Sequence, residues 1–287
     1  MKQNSSARIS LIVAMCIFGS IGLVRKYIDL PSSIIALSRA AIGTLFLLGL
    51  MGVRRQKLNV SQLKENAALL LFSGAALGFN WILLFEAYCY TSVAVATLCY
   101  YMAPVIIILV SPLLFNERIN GKKLCCILAA LIGIVLVSGV LNPTEEGNGD
   151  YRGVLLGLAA AVLYATVVIL NKKITIESAS DRTLVQLGIA AVILLPYTLL
   201  TEDYTLLRPD TSCIILVLIA GIIHTGIAYA LYFGSIRALP AQTAALYSYI
   251  DPILAILLSA LFLREPLSLA GIVGAVMILG AAIVSET

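Results

Sequence analysis

Charge is scarce in this sequence: Asp, Glu, Lys and Arg make up 12% of 287 residues, with one histidine and one tryptophan, while hydrophobic residues reach 61%. So few charges cannot solvate the surface of a water-soluble domain this large, and a mean hydropathy of +1.02 agrees. A single histidine excludes His-rich metal sites. There is no HExxH, no pair of catalytic carboxylates and no glycine-rich phosphate loop ahead of a charged helix. An integral-membrane enzyme is therefore a remote alternative, and no metal, cofactor or ATP-binding domain is expected. Cys16, Cys89, Cys99, Cys125, Cys126 and Cys213 lack metal-ligand spacing and read as small packing residues.

What is present is apolar sequence in runs of roughly 20 residues, the length that crosses a bilayer as helix. Ten runs, at 8–28, 31–53, 66–90, 92–115, 121–141, 151–171, 181–200, 211–235, 240–263 and 267–285, are bounded by charge, Pro, Gly or Asn. The class expected is an all-α integral membrane protein. "MKQNSSAR" ahead of the first run could open a signal peptide, but no A-x-A-like site follows, so a retained first span is expected. With the N-terminus inside, thirteen Lys and Arg fall on the inner side (Lys2, Arg8, Arg54, Arg55, Lys57, Lys64, Arg118, Lys122, Lys123, Lys172, Lys173, Arg182 and Arg237). Five fall outside (Arg25, Lys26, Arg152, Arg208 and Arg264), and Arg39 remains within a span. Both termini are thus expected in the cytoplasm, in a multi-pass protein of the cell membrane. The net charge of +4 is a signal of orientation and calls for no nucleic-acid partner.

The chain also repeats itself. "ATLCYYMAPVIIILVSPLLFNE" (96–117) and "AALYSYIDPILAILLSALFLRE" (244–265) share nine of 22 positions at an offset of 148, among them Tyr101/Tyr249, Pro104/Pro252, Ser111/Ser259 and Glu117/Glu265. A weaker echo at offset 146 pairs Phe18/Tyr164, Ser20/Thr166 and Lys26/Lys172. The linker "LNPTEEGNGDYRG" falls near the midpoint, so the expected units are residues 1–143 and 151–287. Five spans each is an odd number, so the second unit starts on the opposite side: ten transmembrane helices as two inverted five-helix repeats. Inverted repeats recur in secondary transporters.

The five-span repeat, the central proline of its fourth span, the glutamate closing that span in "FNER" and "LREP", "LSRAAIG" in the second span, and "AYALYFGSIRALPAQTAAL" resemble the EamA-type transporters of the drug/metabolite transporter superfamily. The resemblance covers essentially the whole chain. It implies a ten-helix secondary active transporter with a central cavity, many relatives exporting amino acids, other metabolites or drugs. The partners implied are a small-molecule substrate and the lipid bilayer, with or without protons, in a monomer or homodimer. An uncoupled uniporter or exchanger and a multidrug or cation exporter are the alternatives.

Polar residues at depth mark the candidate site. At ~1.5 Å per residue, Asp251 lies about 15 Å along its span, where a lipid-facing charge costs roughly 2.5–3.5 kcal/mol, so it should face a cavity or partner. Pro252 removes a donor from the Ser248 carbonyl and Pro104 does the same for Tyr100, so both prolines are expected helix kinks. Tyr247 should share a face with Asp251. Arg39 is read as a structural fork to backbone carbonyls or as a counter-ion for a substrate carboxylate. Glu86 is an outer-mouth charge within pairing range of Arg39. His224 could relay protons or simply pack. Asn80 and Trp81 could line the cavity, Asn80 alternatively gluing helices together. Tyr88, Tyr90, Tyr151, Tyr197 and Tyr204 have positions of an interfacial belt, while Tyr100, Tyr101, Tyr229, Tyr232, Tyr247 and Tyr249 are internal. The matched pair Tyr101 and Tyr249 suits a symmetric gate. Impermeant labelling of tags at the two ends should report the same, cytoplasmic face for both; opposite faces would refute the even number of spans.

Overall fold

The computed structural model describes residues 2–115, 121–137, 151–236, 238–239, 244, 247–265 and 267–286, with side chains outside 2–5, 115, 236 and 285–286. Among the described residues the structure is helical, without strands. Helices α1 (Lys2–Gly19), α2 (Ile21–Lys26), α3 (Ser32–Val53), α4 (Val60–Glu65), α5 (Ala67–Tyr90), α6 (Val93–Tyr100), α7 (Ala103–Phe115) and α8 (Gly121–Val137) precede the midpoint. After it come α9 (Tyr151–Lys173), α10 (Ala179–Thr201), α11 (Thr211–Gly221), a π-helical segment (Ile222–Ile227), α12 (Ala228–Ile236), α13 (Ile250–Phe262) and α14 (Leu269–Glu286). Each of the ten apolar runs contains helix. Seven stretches among the described residues are long and apolar enough to cross a membrane, and Ile250–Phe262 and Leu269–Val284 are shorter apolar helices. The linker after the second run carries the short α4, with Asn59 accepting from the Gln62 amide at its N-terminus.

Two spans stop and restart. α6 ends at Tyr100 and α7 begins at Ala103, while α13 begins at Ile250 with Tyr249 before it. Tyr101 (φ −72, ψ 6) and Tyr249 (φ −75, ψ −7) have nearly the same backbone conformation. The sequence suggested that Pro104 and Pro252 would kink continuous helices; each instead sits in the first turn of a new helix. There the missing N–H is no loss and the fixed φ suits the helix. A third irregularity lies in the eighth run, where the π turn lets Thr225 Oγ1 donate to the Ala220 carbonyl five residues back at 3.1 Å. Glycines allow α3 to press on this segment: a Cβ at Gly43 would lie 2.4 Å from Thr225 Cγ2, and one at Gly226 2.4 Å from the Phe46 ring.

The packing pairs up across the midpoint. α5 packs on α9, and α1 on α12; α9 also takes α6 and α7, as α1 takes α13; α3 meets α10, and α8 meets α14. The α8/α14 crossing is close because it has no side chains at its centre: a Cβ on Gly133 would lie 2.8 Å from the Gly274 carbonyl oxygen, and one on Gly274 2.6 Å from that of Gly133. Gly274→Ala gains about 0.5–1 kcal/mol of helix propensity but must separate two backbones, an overpacking cost of about 1–3 kcal/mol. Thermal unfolding in detergent should therefore show a lower Tm for Gly274→Ala, and no loss for Gly280→Ala, where nothing lies within 4 Å.

Candidate functional site

The two restarts face one cavity of about 370 Å³. Asp251 lies on its wall, carried there by the first turn of α13, and Tyr101 arrives from the break between α6 and α7. The Tyr101 hydroxyl donates to Asp251 Oδ2 at 2.9 Å and lies 3.5 Å from the Ser248 carbonyl, the oxygen that Pro252 leaves without its helical donor. α1 approaches this point without a side chain: a Cβ on Gly19 would lie 2.5 Å from the Asp251 carbonyl oxygen. The walls are aromatic. Tyr100 meets Tyr101 and Tyr164 at ring separations of 6.1 and 5.2 Å, and Phe18 meets Tyr229 at 5.2 Å.

Arg39 closes one side. Its guanidinium carbon stands 4.1 Å from the centroid of Trp81 and 5.7 Å from that of Phe85. Nε donates to Thr225 Oγ1 at 2.8 Å, and Nη2 is 3.4 Å from the His224 carbonyl oxygen. A desolvated cation over Trp is worth about 2 kcal/mol, and the fork joins α3 to the π segment. Gln186 is likewise buried and donates to Ser73 Oγ and Asn171 Oδ1, each at 2.7 Å.

Of the residues singled out in the sequence, Asp251, Ser248, Tyr249, Tyr100, Tyr101, Trp81, Arg39 and Pro104 line the cavity. Tyr247, Asn80, His224, Pro252 and Glu86 sit elsewhere. Tyr247 precedes the break, which takes it off the face of Asp251 and packs it near Leu11 and Leu239. Asn80 is buried between helices, its Nδ2 donating to the Ala160 carbonyl at 2.6 Å. His224 is buried, with Nε2 3.0 Å from Ser20 Oγ and Nδ1 3.3 Å from the Ile219 carbonyl oxygen. Pro252 is buried behind Asp251. Glu86 does not pair with Arg39: it accepts from Ser32 Oγ at 2.6 Å, in a second basin where Ser32 also accepts from Arg25 at 3.1 Å. About two turns of helix separate Arg39 from Ser32, and Thr225 and Trp81 hold the guanidinium away from Glu86.

Tyr88 is also corrected. It leaves the interfacial belt, being 3% exposed, lining the cavity and lying 3.3 Å from Thr97 Oγ1, because α2 and α6 cover the end of α5. Thr97 and Tyr88 gave no signal in the sequence. Tyr229 and Tyr232 did: at the repeat offset of 148 they match Trp81 and Leu84, and all four line the cavity. So do Tyr100/Ser248, Tyr101/Tyr249, Ala103/Asp251 and Ile107/Ala255.

The model of the EamA-like transporter family matches residues 5–139 and again 151–287. The chain belongs to the EamA-like transporter family. It is a multi-pass membrane protein with a transporter's role. It is 32% identical over 277 residues to the uncharacterized transporter YxxF of Bacillus subtilis (strain 168), covering 96% of this chain and 88% of that one. Protein PecM of Dickeya dadantii (strain 3937) is 28% identical over 222 residues (73% and 70%), and protein RarD of Salmonella typhi 24% over 268 residues (90% and 87%). A crystal structure 20% identical in sequence superposes with a TM-score of 0.66 over 98% of this chain and 97% of that chain, a likeness of fold. In this EamA chain, Arg39→Lys keeps the charge but cannot span Thr225 and the His224 carbonyl while covering Trp81. Purified Arg39→Lys should melt several degrees lower and accumulate less in the membrane; normal stability with weakened ligand binding would instead mark a substrate contact.

Proposed function

We propose that the chain is a secondary active exporter of small amphipathic metabolites, amino acids or related compounds, working in the cell membrane by alternating access. Its ten spans form two inverted five-helix halves, 1–143 and 151–287, with both termini cytoplasmic, in a monomer or homodimer. Support for two halves comes from the double family match, from the paired packing across the midpoint and from the repeat-matched residues that meet on one cavity wall. Export is taken from the family resemblance.

One observation carries the reading: a carboxylate at mid-span faces an aromatic cavity, held by a tyrosine hydroxyl from the other half. Asp251 is the substrate or proton site. One of its oxygens is engaged by Tyr101, and the other can meet an ammonium group or a proton. The aromatic walls suit the apolar part of a metabolite and offer π faces to a cation. Exchange of a proton for a bound cation at a single carboxylate would link transport to the pH gradient.

The chain supplies its own reporter, since its one tryptophan, Trp81, lines the cavity. Binding of an amino-acid-like metabolite should alter Trp81 fluorescence in a saturable way. Asp251→Asn should abolish that response for amines and remove the pH dependence of counterflow in proteoliposomes. Retained amine binding together with unchanged pH dependence would end this assignment.

A further inference from the structure

Outside the cavity, one carboxylate collects an unusual number of partners. Glu265 Oε1 pairs with Lys26 Nζ at 2.9 Å, while Oε2 accepts from the Val93 amide at 3.1 Å and from Ser259 Oγ at 2.8 Å. Lys26 Nζ also lies 3.4 Å from the Thr91 carbonyl oxygen. Val93 opens α6, where Ser92 accepts from the Val95 amide. Glu265 thus satisfies another of the four orphan donors of that helix, at its positive end. The chain makes a special turn to deliver it: Arg264 takes φ 55, a left-handed conformation uncommon outside glycine, and brings the Glu265 amide to the Ser259 carbonyl at 3.2 Å.

Beneath this cluster α2 and the start of α6 approach closely. A Cβ on Gly22 would lie 2.4 Å from Val93 Cγ1 and 3.4 Å from the Tyr88 ring. Val93, Ala94, Val95 and Ala96 are buried, and the cavity lining stops at Ile21, Tyr88 and Thr97. The end of α2, the start of α6 and the end of α13 therefore form an apolar plug on one face of the cavity, with the Glu265 cluster across its top. Lys26 and Val93 belong to the first family match and Glu265 to the second, so the Glu265 bonds to Lys26 and to the Val93 amide cross between the halves, while those to Ser259 and from Lys26 to Thr91 stay within one. The ion-pair side chains are 27% and 23% exposed, so water still reaches the pair.

We propose that Glu265 is a gate residue: its carboxylate clasps Lys26 and the α6 N-terminus to hold the cavity shut on the Lys26 face, and must release both for the cavity to open there. This rests on the reading of two halves that alternate, and not on any role of Asp251. The experiment needs no substrate. In a chain with Cys16, Cys89 and Cys125 replaced by serine, Ser248→Cys puts a thiol on the cavity wall, and an impermeant maleimide is applied to the Lys26 face in sided vesicles. Labelling should be slow in this parent and several-fold faster with Glu265→Ala or Lys26→Met; Glu265→Gln, which keeps an acceptor for Val93, should fall between. Joining Lys26→Cys to Glu265→Cys with a reducible bifunctional thiosulfonate should stop labelling from this face until reductant is added. If Glu265→Ala does not fold, Lys26→Met decides. Rates equal to the parent in both, with unchanged Tm, would overturn the proposal. A failed Asp251 assignment would leave these rates as they are, which separates the two readings.

Discussion

A helix that stops and restarts inside a bilayer leaves backbone groups without partners, and hydrocarbon supplies none. Such breaks are tolerated only where protein or a wet cavity takes up the freed groups, and this requirement organises the molecule. The breaks at Tyr101 and Tyr249 open toward the same enclosed space, and the Tyr101 hydroxyl reaches the carbonyl left by Pro252 as well as the adjacent carboxylate. The packing around them fits the same need. Gly19 lets α1 lie against the Asp251 backbone, and α9 covers both halves of the first broken span. Turned toward lipid, the same residues would cost several kcal/mol, so the cavity is what makes them admissible.

A second constraint acts on Arg39. Being always charged, it cannot escape burial by losing its proton. The π segment answers with a hydroxyl and a backbone carbonyl, and Trp81 with a π face. The glycines that bring α3 and the π segment together make that answer geometrically possible. Structure and site are therefore not separable here, because the group that ties the helices also forms the wall.

Much of this was legible in the sequence, for identifiable reasons. Run length follows from bilayer thickness, so helix could be expected in each run; Asp251 and Pro252 stood out because apolar surroundings make them costly; and the repeat matched Tyr101 with Tyr249, which line the same cavity. What stayed hidden depends on the direction of side chains. A helix that is apolar all round does not say which face meets a cavity, so Asn80 and His224 were grouped with the site although they bond to neighbouring helices, and Tyr88 was assigned to the membrane surface. Tyr247 was misplaced because the face it shares with Asp251 exists only if the helix is continuous. The π segment had no signature, since its glycines also suit ordinary close packing.

That segment carries a consequence of its own. A widened turn stores one more residue than an α-helix of equal rise, so everything beyond it is rotated by about 100° relative to an uninterrupted spiral. Tyr229 and Tyr232 lie just past it, and their aim at the chamber is owed to that stored residue. Loss of a single codon there would leave the composition of the span almost untouched, yet would swing both phenols away from the solute path.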